Sequence, residues 1–408
     1  MPISRPSHSR KLARLALLLS ALLITLLSTQ AAAQAASPHS SHRHHASHPQ
    51  RTRPASRPRA AGSLPPEGIW DSCDLNANLA LCEQRLAVIA KGGFKVVVMG
   101  IFYSSEANMA AYAAYAQSLG MGVMWEINDP GFWGSAWNGS SAAADYSQFA
   151  QACGCSSTNG VLGAMISFLA SLPGTYGYYA ADDSTLGPGQ TAGLRQFVAQ
   201  IKAIDPGHMV MIGANASQGQ SNASTGAVLG NEIYPVTTSN IQNVGRNLAT
   251  WDSVSQEVSQ AQSSAARSGQ GSAFILQAFT FGDNLSDGQA VGACTASMTQ
   301  QQCYSRLLYP SEQVQLELRN AVLAHSHPKL ILWWSFQGTY GQSGNDTYSI
   351  YPTGAVAQAR WSGLTRAINA PLAGLATAAR AKGRSSRHGG HGRGHARTPH
   401  RKLNRLHS

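Results

Sequence analysis

The sequence predicts an α/β protein, a single (β/α)8 TIM barrel flanked by disordered basic tails. Three observations predict it. Eight short apolar runs of strand length recur through the middle of the chain. Helix-length segments alternate with them, and the two ends hold almost nothing that could be buried. An open, doubly wound sheet is the alternative arrangement of the same elements.

The candidate strands are GIWDSC (68–73), KVVVMGI (95–101), GVMWEI (122–127), YGYYAAD (176–182), HMVMIGA (208–214), VLGNEIYPV (228–236), AFILQAF (273–279) and KLILWWSF (329–336). They are apolar on both faces, as strands covered on both sides must be. EQRLAVIAKGGF follows the first strand as a helix. SSEANMAAYAAYAQSLG follows the second, with Ser104 or Ser105 as cap and Gly120 as stop. GVLGAMISFLASLPG precedes the fourth strand. GQTAGLRQFVAQIKAIDPG follows it and stops at Asp205-Pro206. Three further helical patterns precede the seventh strand, precede the eighth, and close the domain. Together they place one barrel at residues 63–377.

Residues 1–36 read as a secretory signal. Arg10, Lys11 and Arg14 supply the positive region, LALLLSALLITLL (15–27) the apolar region, and Ala31 to Ala35 the small residues for cleavage. An uncleaved anchor is the alternative. No later run approaches the roughly 18 apolar residues a bilayer requires. The mature chain is therefore expected to be secreted, with no membrane span after signal cleavage. Residues 37–62 form a His/Arg/Pro-rich linker and 378–408 a basic tail. Neither has apolar surface to offset the entropy of ordering its backbone.

The formal charge of +11 belongs to these tails. Residues 63–377 hold all 19 Asp and Glu but only 12 Lys and Arg, a net of −7. An acidic domain argues against a specific nucleic-acid partner. The tails are expected either to bind a polyanionic surface polymer or to act as solvated linkers.

The six cysteines form three local pairs by position: Cys73 with Cys82, Cys153 with Cys155, and Cys294 with Cys303. An even count in an exported chain reads as disulfides. The first and third pairs would each close within one loop, and the second is tight. Zinc is the alternative, but no Cys-x-x-Cys spacing supports it. No cofactor is expected: no Gly-x-Gly-x-x-Gly follows an early strand and no Gly-x-x-x-x-Gly-Lys occurs. His208, His325 and His327 are the domain's only histidines. None is placed for a serine triad. Five Asn-x-Ser/Thr sequons begin at Asn138, Asn215, Asn222, Asn284 and Asn345.

The carboxyl ends of barrel strands carry the chemistry. Here they read Trp70-Asp71, Trp125-Glu126, Asp182-Asp183, Asn231-Glu232-Ile233-Tyr234, Gln277 and Trp333-Trp334. Aromatic faces that stack on sugar rings alternate with carboxylates and amides that take hydroxyls. Two adjacent acids raise one another's pKa, which suits a proton donor. The candidate catalytic residues are therefore Asp183, Glu232 and Glu126. The candidate substrate contacts are Asp71, Asp182, Trp70, Trp125, Tyr234, Gln277, Trp333 and Trp334.

YYAADDS, then a helix, then IKAIDPGHMVMI resembles the fourth and fifth strands of TIM-barrel glycoside hydrolases. In many of these the fourth strand ends in Asn-Glu-Pro or Asp-Glu-Pro. NEIYPV, LQAF and LILWWSF resemble later strands of secreted hydrolase-like barrels. The resemblance implies a carbohydrate substrate, Asp183 as acid/base, and Asp182 against a sugar hydroxyl. Three departures stand out: Asp replaces Glu, no proline follows, and Gln277 stands where retaining members carry a glutamate nucleophile. With a shorter acid and a partner on another strand, the expectation is inversion, Asp183 as acid and Glu232 as base. A non-catalytic glycan-binding barrel is the second expectation. A monomer is expected in either case.

Overall fold

In the computed structural model, residues 64–101, 104–128, 146–182, 188–214, 225–236, 248–280, 289, 294–299, 302–303, 306, 308–337 and 355–371 are described. The signal, the linker, the basic tail, Asp183 and all five sequon asparagines lie outside them. Eight parallel strands close in chain order: β1 (Glu67–Asp71), β2 (Val96–Gly100), β3 (Gly122–Glu126), β4 (Thr175–Ala181), β5 (Met209–Ala214), β6 (Val228–Ile233), β7 (Ser272–Gln277) and β8 (Ile331–Gln337). β8 pairs with β1, which excludes the open sheet.

The described helices are α1 (Leu75–Lys91), α2 (Glu106–Ser118), α3 (Ser147–Cys153), α4 (Thr158–Ser171), α5 (Pro188–Ile204), α6 (Leu248–Arg267), α7 (Glu312–His325) and α8 (Ala355–Asn369). α1 starts well before the apolar pattern does. Asp74 accepts from the Asn76 and Ala77 amides and caps it there. Ser105 caps α2 by accepting from Asn108, and Gly120 follows the helix at φ +69°, where a side chain would strain the turn. The Cys73–Cys82 disulfide consequently joins the end of β1 to a helix, not two points in one loop.

Alternation along the strands builds two cores. Trp70, Val96, Val98, Met124, Tyr179, Met211, Ala273, Ile275, Leu330 and Leu332 fill the barrel axis. Ile69, Val97, Met99, Val123, Trp125, Tyr178, Val210, Ile212, Phe274, Leu276, Ile331 and Trp333 pack outward under the helices. Each large side chain so buried contributes on the order of 2–3 kcal/mol.

The seam between β1 and β8 carries a buried carboxylate. Glu67 accepts from Arg319 Nε of α7 at 2.6 Å and from Trp333 Nε1 of β8 at 3.0 Å. Burial pushes its pKa up, against the pull of Arg319 and of both hydrogen bonds. Its truncation leaves a buried guanidinium without its counter-charge. Glu67→Ala is expected to cost about 3–5 kcal/mol in urea unfolding. A loss under about 1 kcal/mol would show that closure does not depend on this contact.

Candidate active site

The alternation that fills the axis also selects which rim residues face it. Glu126 lies two residues beyond the inward Met124. Glu232 lies two beyond Gly230, whose missing side chain gives way to the Met211 methyl. Trp334 lies two beyond the inward Leu332. Each therefore points to the axis at the carboxyl end of its strand.

Tyr179 stands at the centre. Its phenol donates to the Asp182 carboxylate, and its ring meets the edge of Trp70 at 4.9 Å and 86°. Trp334 also packs against Trp70, with ring centroids 5.2 Å apart. Burial first, and then the charges of Asp182 and Glu232, push the pKa of the Tyr179 hydroxyl well up. Space for this group comes from β5. A Cβ on Gly213 would lie 1.8 Å from the Tyr179 hydroxyl and 2.8 Å from Asp182 Oδ1. Beyond Tyr179, the Asp182 amide donates to Asn128 Oδ1 at 3.1 Å, which ties the end of β4 to the segment after β3. Tyr234 stands on Phe279 edge to face at 5.1 Å, beside Glu232.

Glu126 is the electrostatic outlier. Burial and then the Asp182 charge push its pKa up to about 8. The Trp70 indole N–H opposes the shift from nearby, without reaching full hydrogen-bond geometry. A carboxyl held protonated near neutrality can donate a proton.

The structure thus brings together Glu126, Asp182, Glu232, Trp70, Tyr234 and Trp334, with Trp70 buried as the floor. Four other candidates are committed to other contacts. Trp125 faces outward, fully buried, and donates to Thr175 Oγ1 at 3.0 Å. Trp333 faces outward and is held by Glu67. Asp71 is a buried ion-pair partner of Arg85 on α1. Gln277 is fully buried. It donates to Val236 O at 2.8 Å and Phe279 O at 3.2 Å and accepts from Val236 N at 2.9 Å, so it clamps the segments after β6 and β7 together. None of these four retains a surface for a sugar. Tyr179 and Asn128 are the additions. The signal for Tyr179 was the GYY triplet opposite a mid-strand glycine on β5. Among the described residues no group of three or more His, Cys, Asp or Glu is disposed to hold a metal ion.

No family model matches the chain, and no curated protein does. Solved structures with a similar course include an endo-β-1,4-mannanase from Thermotoga petrophila, at 11% identity and TM-score 0.44 over 76% of this chain and 78% of that one. An endoglucanase of Pseudomonas stutzeri gives 12% and 0.46 over 74% and 95%. The catalytic domain of a mannanase from Streptomyces sp. SirexAA-E gives 14% and 0.44 over 82% and 98%. At such values the barrel assignment rests on the closed strand order.

Two expectations follow from this geometry. Between pH 4.5 and about 8 the unfolded chain releases a proton that folded Glu126 keeps. Its contribution to stability is therefore greatest below pH 4.5 and declines as pH rises, by up to about 1.4 kcal/mol per unit. Glu126→Gln should then gain on the parent between pH 5 and pH 7.5 in urea unfolding. An advantage that does not grow with pH means Glu126 is ionised throughout. Gly213→Ala should cost about 1–3 kcal/mol by overpacking, and adding Tyr179→Phe should recover part of it. No recovery would place the clash elsewhere.

Proposed function

We propose that the protein is an exported glycoside hydrolase that cleaves O-glycosidic bonds of a polysaccharide by carboxylate acid/base catalysis. One observation carries this reading: a carboxyl held protonated to about pH 8, Glu126, shares a barrel mouth with Asp182 and Glu232 and a wall of tryptophan and tyrosine. In this reading Glu126 protonates the leaving oxygen, and Glu232, across the mouth on β6, activates water. Asp182, oriented by Tyr179 and Asn128, takes a sugar hydroxyl and keeps Glu126 protonated. Trp334 and Tyr234 stack on the rings. Asp183, next to Asp182 in the chain, is the rival proton donor. The tails hold the enzyme near a polyanionic polymer.

A non-catalytic glycan-binding barrel is the second reading. Its support is Gln277, committed to backbone hydrogen bonds on the strand where the resemblance implies a nucleophile.

The test is reducing-end release from plant, fungal and bacterial polysaccharides by the full secreted chain, with Glu126→Gln, Glu232→Gln and Asp183→Asn in parallel. Loss of a general acid or base should lower the rate about 10²- to 10⁴-fold. Loss in the two glutamine variants, with a basic limb that falls through about pH 8, supports the assignment. Loss only in Asp183→Asn moves the acid to that residue. Binding without release by the parent supports the second reading. Product anomers followed by NMR test the expected inversion.

A further inference from the structure

The three disulfides are not alike. Cys73, Cys82, Cys294 and Cys303 are 4%, 0%, 7% and 0% exposed, so two of the bridges are sealed inside the fold. Cys153–Cys155 is different in three respects. Cys153 is exposed and Cys155 half-buried. The bridge spans one intervening residue, so breaking it releases almost no chain and loses little loop-closure entropy. That residue, Gly154, turns the chain at φ +63° between α3 and α4, a conformation glycine adopts without cost.

The two sulfurs also differ. Cys155 lies against the first turn of α4. A Cβ on Gly160 would stand 2.9 Å from its Cβ and 3.0 Å from its Sγ, so a side chain there would push the cysteine away from this turn. The amides of a first helical turn favour negative charge. Cys153 closes α3, with its Sγ 3.7 Å from the Ala150 carbonyl, a setting that favours no negative charge.

We propose that Cys153-Gly154-Cys155 is a second functional site, a thiol–disulfide exchange centre that reacts with thiols outside the protein. A thiolate attacks the exposed Cys153 sulfur. The Cys153–Cys155 bond breaks, and its electron pair leaves on Cys155, over the first turn of α4. A mixed disulfide remains on Cys153. A second thiolate resolves it, leaving two reduced cysteines and one external disulfide. Because α4 is followed within four residues by the start of β4, its first turn lies at the carboxyl end of the strands. The centre therefore sits at the end of the barrel that carries Glu126 and Asp182. The proposal stands whether or not the barrel cleaves sugars.

The test uses the native full chain in graded dithiothreitol, trapped with iodoacetamide and mapped by peptide mass. Cys153 and Cys155 should be alkylated at a dithiothreitol concentration at least tenfold below that which opens the other two bridges, with the circular dichroism unchanged. Reduction of all three together, or of this pair last, overturns the proposal. Under limiting reduced glutathione the trapped adduct should be on Cys153, and Gly160→Ala, which displaces the leaving sulfur, should slow its formation. An adduct on Cys155, or an unchanged rate in Gly160→Ala, overturns the assigned polarity. Mixed-disulfide formation that requires unfolding overturns the site itself.

Discussion

Closure of the sheet is the constraint from which everything else follows, and a buried carboxylate holds its seam. Glu67 joins β1, β8 and α7 through Trp333 and Arg319. Once β8 pairs with β1, no strand has a free edge, and every strand residue must face either the axis or the helices. The interior is narrow, so the inward positions fill with a few large side chains and little else. Polar inward groups can exist only at the ends of the strands. The Glu67 carboxylate at the amino end is instead on the outward face of the seam, between Trp333 and Arg319 of α7. At the carboxyl end the same rule yields Glu126, Tyr179 and Glu232.

Crowding acids in such a mouth is costly, and the way the cost is met defines the site. Water is scarce and Asp182 is close, so Glu126 keeps its proton instead of adding a third negative charge. Asp182 takes a phenol hydrogen and offers its own amide to Asn128, which fixes its direction. The room for this contact was made by deleting a side chain at Gly213. A glycine inside a strand weakens it by roughly 0.5–1 kcal/mol. That cost is tolerated where a neighbour must approach closely.

All eight strands were legible in the sequence, because buried parallel strands are continuous apolar runs between turn signals. The site was legible only by strand end. Carboxylates and aromatics gather at one rim, but adjacent residues point opposite ways, and a run such as Trp333-Trp334 does not reveal which one faces in. Trp125 and Trp333 read in sequence as sugar platforms but belong to the outer core. Asp71 reads in sequence as a rim carboxylate, but its partner, Arg85, lies nearly three turns into a helix whose start the apolar pattern does not show. Gln277 reads in sequence as a lost nucleophile. In space it is a clamp between two loops, a role that depends on two backbone segments 41 residues apart from it or next to it. The rim position of Glu126 is legible in the sequence, but its elevated pKa is a property of burial and of Asp182, neither of which a linear pattern carries.

The crossover from β3 to β4 concentrates these features. It begins with Glu126 and Asn128, carries α3, the exposed disulfide and α4, and returns through β4 to Tyr179 and Asp182. Asn128 and Asp182 bond to each other across its two ends. Ile127 N also donates to Tyr179 O at 2.9 Å, so the two ends meet at the mouth, and a small covalent ring stands at the joint between α3 and α4. The two sealed bridges do other work: Cys73–Cys82 fastens α1 to the end of β1, beside the Asp71–Arg85 pair that fastens the same elements. A bridge that duplicates a buried ion pair secures the fold. A bridge that spans one residue between two already capped or terminated helices secures very little. Its persistence in an exposed position is more readily explained by its chemistry than by its contribution to stability.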